Sequence, residues 1–225
     1  MGRISEVIVQ EKIVGTEYLI DAASYAGQHK ISTVHSYKKY IVNNMPIYRS
    51  LNMVDENNPR YEQLAEYTKK IIDALGVEYG LSHTEVIVTE NNEVKLMELN
   101  LRPSGLGGFL NDIVYEHKKI NQFILAQDLL ENKTTSTEND GKVYCMFILN
   151  NPGFTYRRVK VELLNDIASY QNIKLLKPVC EHKPERTLLA DSVAILHLAH
   201  ASPDQLQADK DLLEQYEKDG TLFEE

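Results

Sequence analysis

The sequence predicts an α+β protein built from antiparallel sheets flanked by a few helices. Three features predict it. Short β-branched runs between residues 7 and 37 are separated by single turn residues, which suits an antiparallel meander. Apolar residues recur at helical spacing over Arg60–Gly76. Two further strand-like runs flank an asparagine-rich turn at Glu90–Glu93.

Val7–Gln10 reads as a first strand, Glu17–Asp21 as a second, and the alternating His29–Tyr37 as a third, with Gly15 and Gly27 as the punctuation between them. Met45–Pro59 holds two prolines and several asparagines and is expected to be a loop. Leu64, Tyr67, Ile71, Ile72 and Leu75 then form one apolar stripe of a helix that Gly76 stops. Glu85–Val88 and Val94–Leu99 form a hairpin. Arg102–Gly108 is a glycine-rich loop, and Phe109–Leu130 is expected to be one helix. The polar stretch Thr134–Gly141 reads as a surface loop between a domain at 1–133 and a small C-terminal α/β subdomain at 142–225. That subdomain is expected to hold strands at Lys142–Leu149, Ile173–Val179 and Ser192–Leu198. A short helix at Glu162–Tyr170 and an amphipathic helix at Asp204–Asp219 complete it.

Charge narrows the function classes. A net charge of -9 leaves no basic footprint for nucleic acid, and it disfavours anionic membrane surfaces. An anionic ligand needs a locally positive pocket or a metal. No stretch is long and apolar enough to span a bilayer, and Glu6 interrupts any signal-peptide core. Cys145 and Cys180 are far apart and lack metal-type spacing, which suits reduced thiols in a cytoplasmic protein.

The residues with chemistry cluster between Leu81 and Gly108. Glu98 and Asn100 are two apart on one strand and so share a face. A hairpin turning at Asn91–Asn92 places Glu85 opposite Glu98. Two carboxylates at that separation repel, and a hard divalent cation is the cheapest relief. An all-oxygen set of this kind suits Mg2+ or Mn2+ shared with substrate phosphates. Arg102 adds a fixed positive charge two residues further on, and the glycines after it let backbone approach a ligand. His35 and His83 sit in strands, where a hydrogen-bonded structural histidine is favoured over one that positions substrate. His197 and His200 suggest no metal site, because no third ligand is evident.

The segment His83-Thr84-Glu85, followed by Met97-Glu98-Leu99-Asn100-Leu101-Arg102-Pro103-Ser104-Gly105-Leu106-Gly107-Gly108, resembles the metal-binding signature of the ATP-grasp superfamily. It is closest in style to the carboxylate–amine ligases, including L-amino-acid ligases and carbamoyl-phosphate-synthase-like members. The resemblance implies the C-terminal half of an ATP-grasp fold. It also implies Mg2+ on Glu85, Glu98 and Asn100, and Arg102 stabilising the transferred phosphoryl or acyl phosphate. A second, separate segment, Val9–Tyr18, resembles the family's adenine hinge. By that resemblance Glu11, Lys12 and Val14 meet adenine and Glu17 holds the ribose. In related ligases a lysine on a loop between the two segments reaches the phosphates. Lys39 or Lys38 would take that place, with solvated surface lysines as the alternative.

The implied activity is ATP-dependent amide formation through an acyl phosphate, with ATP and Mg2+ (or Mn2+) as cofactors. Its substrates are a small carboxylate and an amine, an amino acid among them. The resemblance also implies an N-terminal domain and a first ATP-grasp half, which nothing before Val7 supplies. The chain is therefore expected to be truncated and to need the absent N-terminal part; a complementing N-terminal half and a homo-oligomer are the partners left open. The alternatives are a non-catalytic nucleotide-binding module and one half of a split ligase.

Overall fold

The computed structural model describes residues 9–42, 45–150, 153–181 and 192–224. Its centre is one eight-stranded sheet in which every neighbouring pair is antiparallel. The strands are β1 (Thr16–Tyr25), β2 (Gln28–Val42), β3 (Met45–Met53), β4 (Gly80–Val88), β5 (Val94–Asn100), β6 (Val143–Leu149), β8 (Tyr170–Leu175) and β9 (Ala194–His200). Their spatial order is β5-β4-β1-β2-β3-β6-β9-β8. A two-residue ribbon, β7 (Arg158–Val159) with β10 (Phe223–Glu224), stands apart. Four helices cover the sheet: α1 (Pro59–Ala74), α2 (Phe109–Lys118), α3 (Gln122–Leu130) and α4 (Pro203–Lys218).

The register separates two faces. Tyr18, Val86, Ser36, Asn52 and Cys145 form one cross-strand row. On their face α1 packs over Ile20, Val34, Val86 and Val88, and α4 packs over Cys145, Phe147 and Leu149. The opposite face carries Leu19, Leu51, Met146 and Ile148 under α2, and Ala23 and Leu81 under α3. Apolar burial on both faces supplies the driving force for the layers. A buried ion pair ties α4 to the sheet. Arg49 donates to both oxygens of Glu217 at 2.7 and 2.6 Å, and the Asn150 amide donates to the same carboxylate at 2.6 Å.

The meander at 17–37, the helix after residue 59, the 85–99 hairpin and the last helix stand where the sequence places them. Several elements differ. The segment expected as a loop at 45–59 contains a full strand, β3, over Met45–Met53. Pro46 lies near its first residue, where a missing N–H is tolerated, and Ile47 and Leu51 are buried. The expected single helix at 109–130 is two. Lys119 closes α2 in the left-handed region at φ 55°, and the Asn121 side chain caps α3 by accepting from Phe123 and Ile124 at 3.0 Å each. The strand expected at 173–179 runs instead over Tyr170–Leu175, and the helix expected at 162–170 is a 3-10 turn at Val161–Asp166. Of the strand expected at 7–10, Val7 and Ile8 lie outside the described residues, while Val9 and Gln10 are irregular and exposed. The Thr134–Gly141 stretch is irregular, yet the sheet continues across it through the pairing of β3 with β6.

Gly15 joins the irregular lead-in to β1 at a point of close backbone contact. A Cβ built there would lie 2.2 Å from the Val88 carbonyl oxygen and 2.7 Å from the Ile87 side chain. Gly15→Ala is therefore expected to destabilise the fold by about 1–3 kcal/mol, the usual cost of overpacking. Chemical denaturation measures it, and an unchanged midpoint would refute the contact.

Candidate active site

The β4–β5 hairpin places the predicted acids by register. Next to the turn, Val88 pairs with Val94, Ile87 with Lys95 and Val86 with Leu96. The register then slips, so that Glu85 pairs with Glu98, Thr84 with Leu99 and His83 with Asn100. Met97 is the extra residue of a β-bulge. Val94 and Leu96 point to the face packed by α1. With strict alternation Glu98 and Asn100 would follow them. The bulge turns both to the face of Glu85 and His83 instead. There the Asn100 amide donates to Glu98 Oε1 at 2.7 Å.

Glu85 faces a cavity of about 230 Å³ between the sheet and the glycine-rich loop. The lining is apolar at Leu19, Leu51, Leu110, Met146 and Ile148, and polar at Glu85, His83 and Arg102. Tyr37 donates to Glu85 Oε1 at 3.0 Å, and His83 Nε2 lies 3.5 Å from the same oxygen. These contacts explain the protonation pattern. The bond from His83, only partly offset by burial, holds the Glu85 carboxyl below its ordinary value, and Tyr37 adds to the effect. Burial pushes the Tyr37 hydroxyl well above its ordinary value, and Glu85 reinforces this. Burial disfavours charge on His83, but its contacts with Asp21 and Glu85 outweigh that and raise it to about 9.

Asp21, Ser104 and Tyr37 lie at the centre of this network, and sequence reasoning missed all three. His83 Nδ1 donates to Asp21 Oδ1 at 2.9 Å, and Ser104 Oγ donates to Asp21 Oδ2 at 2.6 Å. Asp21 is 1% exposed. The only sequence signal was an acid in the otherwise apolar run Leu19–Ala23, which marks a buried charge with a partner. The Ser104 amide also donates to Gln122 Oε1 at 2.9 Å, so the loop that follows Arg102 is held from both sides.

The other predicted residues are spread around this core. Glu11, Lys12 and Val14 are exposed in the irregular lead-in to β1, and Val14 borders a separate shallow depression with Thr16, Tyr18, Arg60 and Val88. Glu17 and Lys39 are brought together: Lys39 Nζ donates to both Glu17 oxygens at 2.6 Å and sits 4.2 Å from the Tyr48 ring centre. Lys38 turns the other way and pairs with Glu214 on α4 at 2.9 Å. Arg102 is exposed at the cavity mouth. His35 is fully buried, and its Nδ1 is 3.2 Å from the Thr33 hydroxyl. His197 faces His117 with their Nε2 atoms 2.7 Å apart, and His200 accepts from the Ser202 amide at 2.9 Å. Among the described residues no cluster of three or more His, Cys, Asp or Glu side chains could hold a metal alone. None of the described helices is long and apolar enough to cross a membrane.

The comparisons with known proteins agree with this architecture. Residues 2–110 match the ATP-grasp domain family. A 100-residue stretch is 28% identical to dapdiamide A synthase of Enterobacter agglomerans, covering 44% of this chain and 23% of that protein. Among solved structures, L-amino acid ligase from Bacillus licheniformis superposes with a TM-score of 0.75 at 14% identity, over 91% of this chain and 53% of that one. Phosphoribosylglycinamide synthetase from Anaerococcus prevotii gives 0.69 at 17% identity, again over 91% and 53%. Residues 2–110 thus match the ATP-grasp domain family, and the chain shares the fold of these solved structures. It spans about half the length of those solved structures.

The burial of His35 carries a pH prediction. Burial, with a smaller contribution from Lys118, lowers its pKa to about 3. Below an ordinary value of 6.5 the unfolded chain therefore binds a proton that the folded chain refuses. Stability is unaffected above 6.5, falls as the pH drops, and has lost about 2 kcal/mol through this residue by about pH 5. His35→Leu should flatten the acid limb of a stability-against-pH curve; an unchanged slope would refute the buried neutral imidazole.

Proposed function

We propose that the chain carries the nucleotide- and metal-binding part of an ATP-dependent carboxylate–amine ligase. The observation that supports this best is the bulged hairpin, which puts Glu85, Glu98 and Asn100 on one face, with Glu85 and Arg102 lining the same cavity. Two carboxylates and an amide oxygen form a hard donor set. Mg2+ commonly takes one or two carboxylates and completes its shell with water and substrate phosphates, so a third acid is not required. Bound there, the ion would neutralise charge on the phosphate oxygens of ATP.

The chain's own residues would do the rest. The cavity's apolar wall would receive the side chain of a small carboxylate such as an amino acid, with its carboxylate toward Arg102. That carboxylate oxygen bonds to the γ-phosphorus as the bond to ADP breaks. An amine then adds to the acyl carbon, loses its proton, and expels phosphate. Arg102 would stabilise the charge that builds on the oxygens in both steps. Glu11, Lys12 and Val14 would border the adenine. Glu17 would accept from the ribose hydroxyls, and in doing so would release Lys39 toward the phosphates. In the structure Glu17 and Lys39 are paired with each other instead.

Isothermal titration with ADP, with and without Mg2+, tests the reading. Wild-type protein should bind more tightly with the metal. Glu98→Gln should remove that metal-dependent gain, weakening Mg-ADP binding about tenfold or more, as expected for losing a charged ligand. Equal binding by the two proteins would end the assignment.

A further inference from the structure

Resting on the reading of Glu85 as a metal ligand, we propose that Asp21 and His83 form a positioning relay that sets the Glu85 carboxylate and couples it to the glycine-rich loop through Ser104. The relay runs Ser104 Oγ to Asp21 Oδ2 (2.6 Å), Asp21 Oδ1 to His83 Nδ1 (2.9 Å), and His83 Nε2 to Glu85 Oε1 (3.5 Å). It joins β1, β4 and the loop after β5, which are far apart in the chain.

Burial and atom use favour this role over ordinary core structure. Asp21, His83 and Ser104 are 1%, 6% and 5% exposed. Placing a carboxylate and an imidazole in such a setting costs free energy that apolar side chains would not incur, so it is weak as a device for stability alone. The polar atoms close into one network: the two Asp21 oxygens divide between Ser104 and His83, His83 Nδ1 also lies 3.3 Å from Ser104 Oγ, and His83 Nε2 faces Glu85. Both contacts to Glu85, from His83 and from Tyr37, fall on Oε1, which leaves Oε2 for a cation. A carboxylate behind an imidazole that orients a ligand is the arrangement by which outer groups tune metal affinity. Here the same carboxylate also holds Ser104, so Arg102 and Glu85 are referenced to one point. The relay thereby sets the distance between the metal's acidic ligand and the arginine across which phosphate must fit.

Mn2+ binding to the full chain in the presence of ADP, followed by electron paramagnetic resonance, tests the relay without relying on turnover. His83→Gln should weaken Mn2+ binding about 10–100-fold. The affinity for ADP in the presence of EDTA should stay unchanged, which a general loss of structure would not allow. Ser104→Ala removes a single oxygen and keeps the histidine. It should weaken Mn2+ in the same direction by less, and the double variant should fall short of the product of the two effects. Wild-type Mn2+ affinity in both single variants, or a parallel loss of metal-free ADP binding, would overturn the relay. If instead wild-type protein binds no Mn2+ with ADP, and Glu98→Gln changes nothing, the metal reading fails and the relay fails with it.

Discussion

One extra residue in β5 decides which face of the sheet carries Glu98 and Asn100. Next to the turn, Val94 and Leu96 lie over α1 in the apolar layer. Without the bulge at Met97, Glu98 and Asn100 would continue on that side, and a carboxylate would be driven into packed hydrocarbon. The bulge relieves that conflict by shifting the register one residue, so the apolar half of the strand and its polar half face opposite layers. The arrangement of Glu85, Glu98 and Asn100 follows from this slip.

The buried network around Asp21 depends on the same pairing. His83 lies between Asn100 on one side and Asp21 on the other. The row therefore carries polar groups from the hairpin edge into the centre of the sheet, under the loop that bears Ser104. Low local polarity strengthens each of these bonds and makes any unpaired member costly. The network and the apolar cavity beside it therefore constrain each other. A second buried charge pair, Arg49 with Glu217, serves the other face. Arg49 is itself the extra residue where the β2–β3 register slips, between the Lys38–Ser50 and Lys39–Tyr48 pairs. In both places a register slip sets where a charged side chain goes: Glu98 to the face of Glu85, and Arg49 to Glu217.

Much of the fold was legible because local patterns are strong where one face is apolar. The stripe over Leu64–Leu75 and the alternation of β2 needed no tertiary information. The strand at 45–53 was hidden by Pro46 and Asn52, whose residue types signal turns. It forms because β2 and β6 supply partners on either side. The break between α2 and α3 was hidden too, since apolar residues continue through it; Asn121 as a cap was the available clue. In the site, Glu85 against Glu98 was expected from a turn at Asn91–Asn92, but the pairs next to the turn are centred one half-step earlier and the bulge at Met97 is what brings the two acids opposite each other. Tyr37 and Asp21 could not be read, because nothing local links them to residues about fifty positions away or more.

By itself the sequence determined the α+β class, the hairpin, and that Glu98 and Asn100 share one strand, because periodicity and short-range spacing fix which side chains lie together locally. Only the tertiary structure decided which face Glu98 and Asn100 occupy, that one sheet runs through both halves of the chain, and that Asp21 joins His83 to Ser104. Those outcomes depend on strand register and on partners distant in the chain. They are chosen by the global balance of apolar burial against unsatisfied polar groups, which no local pattern contains.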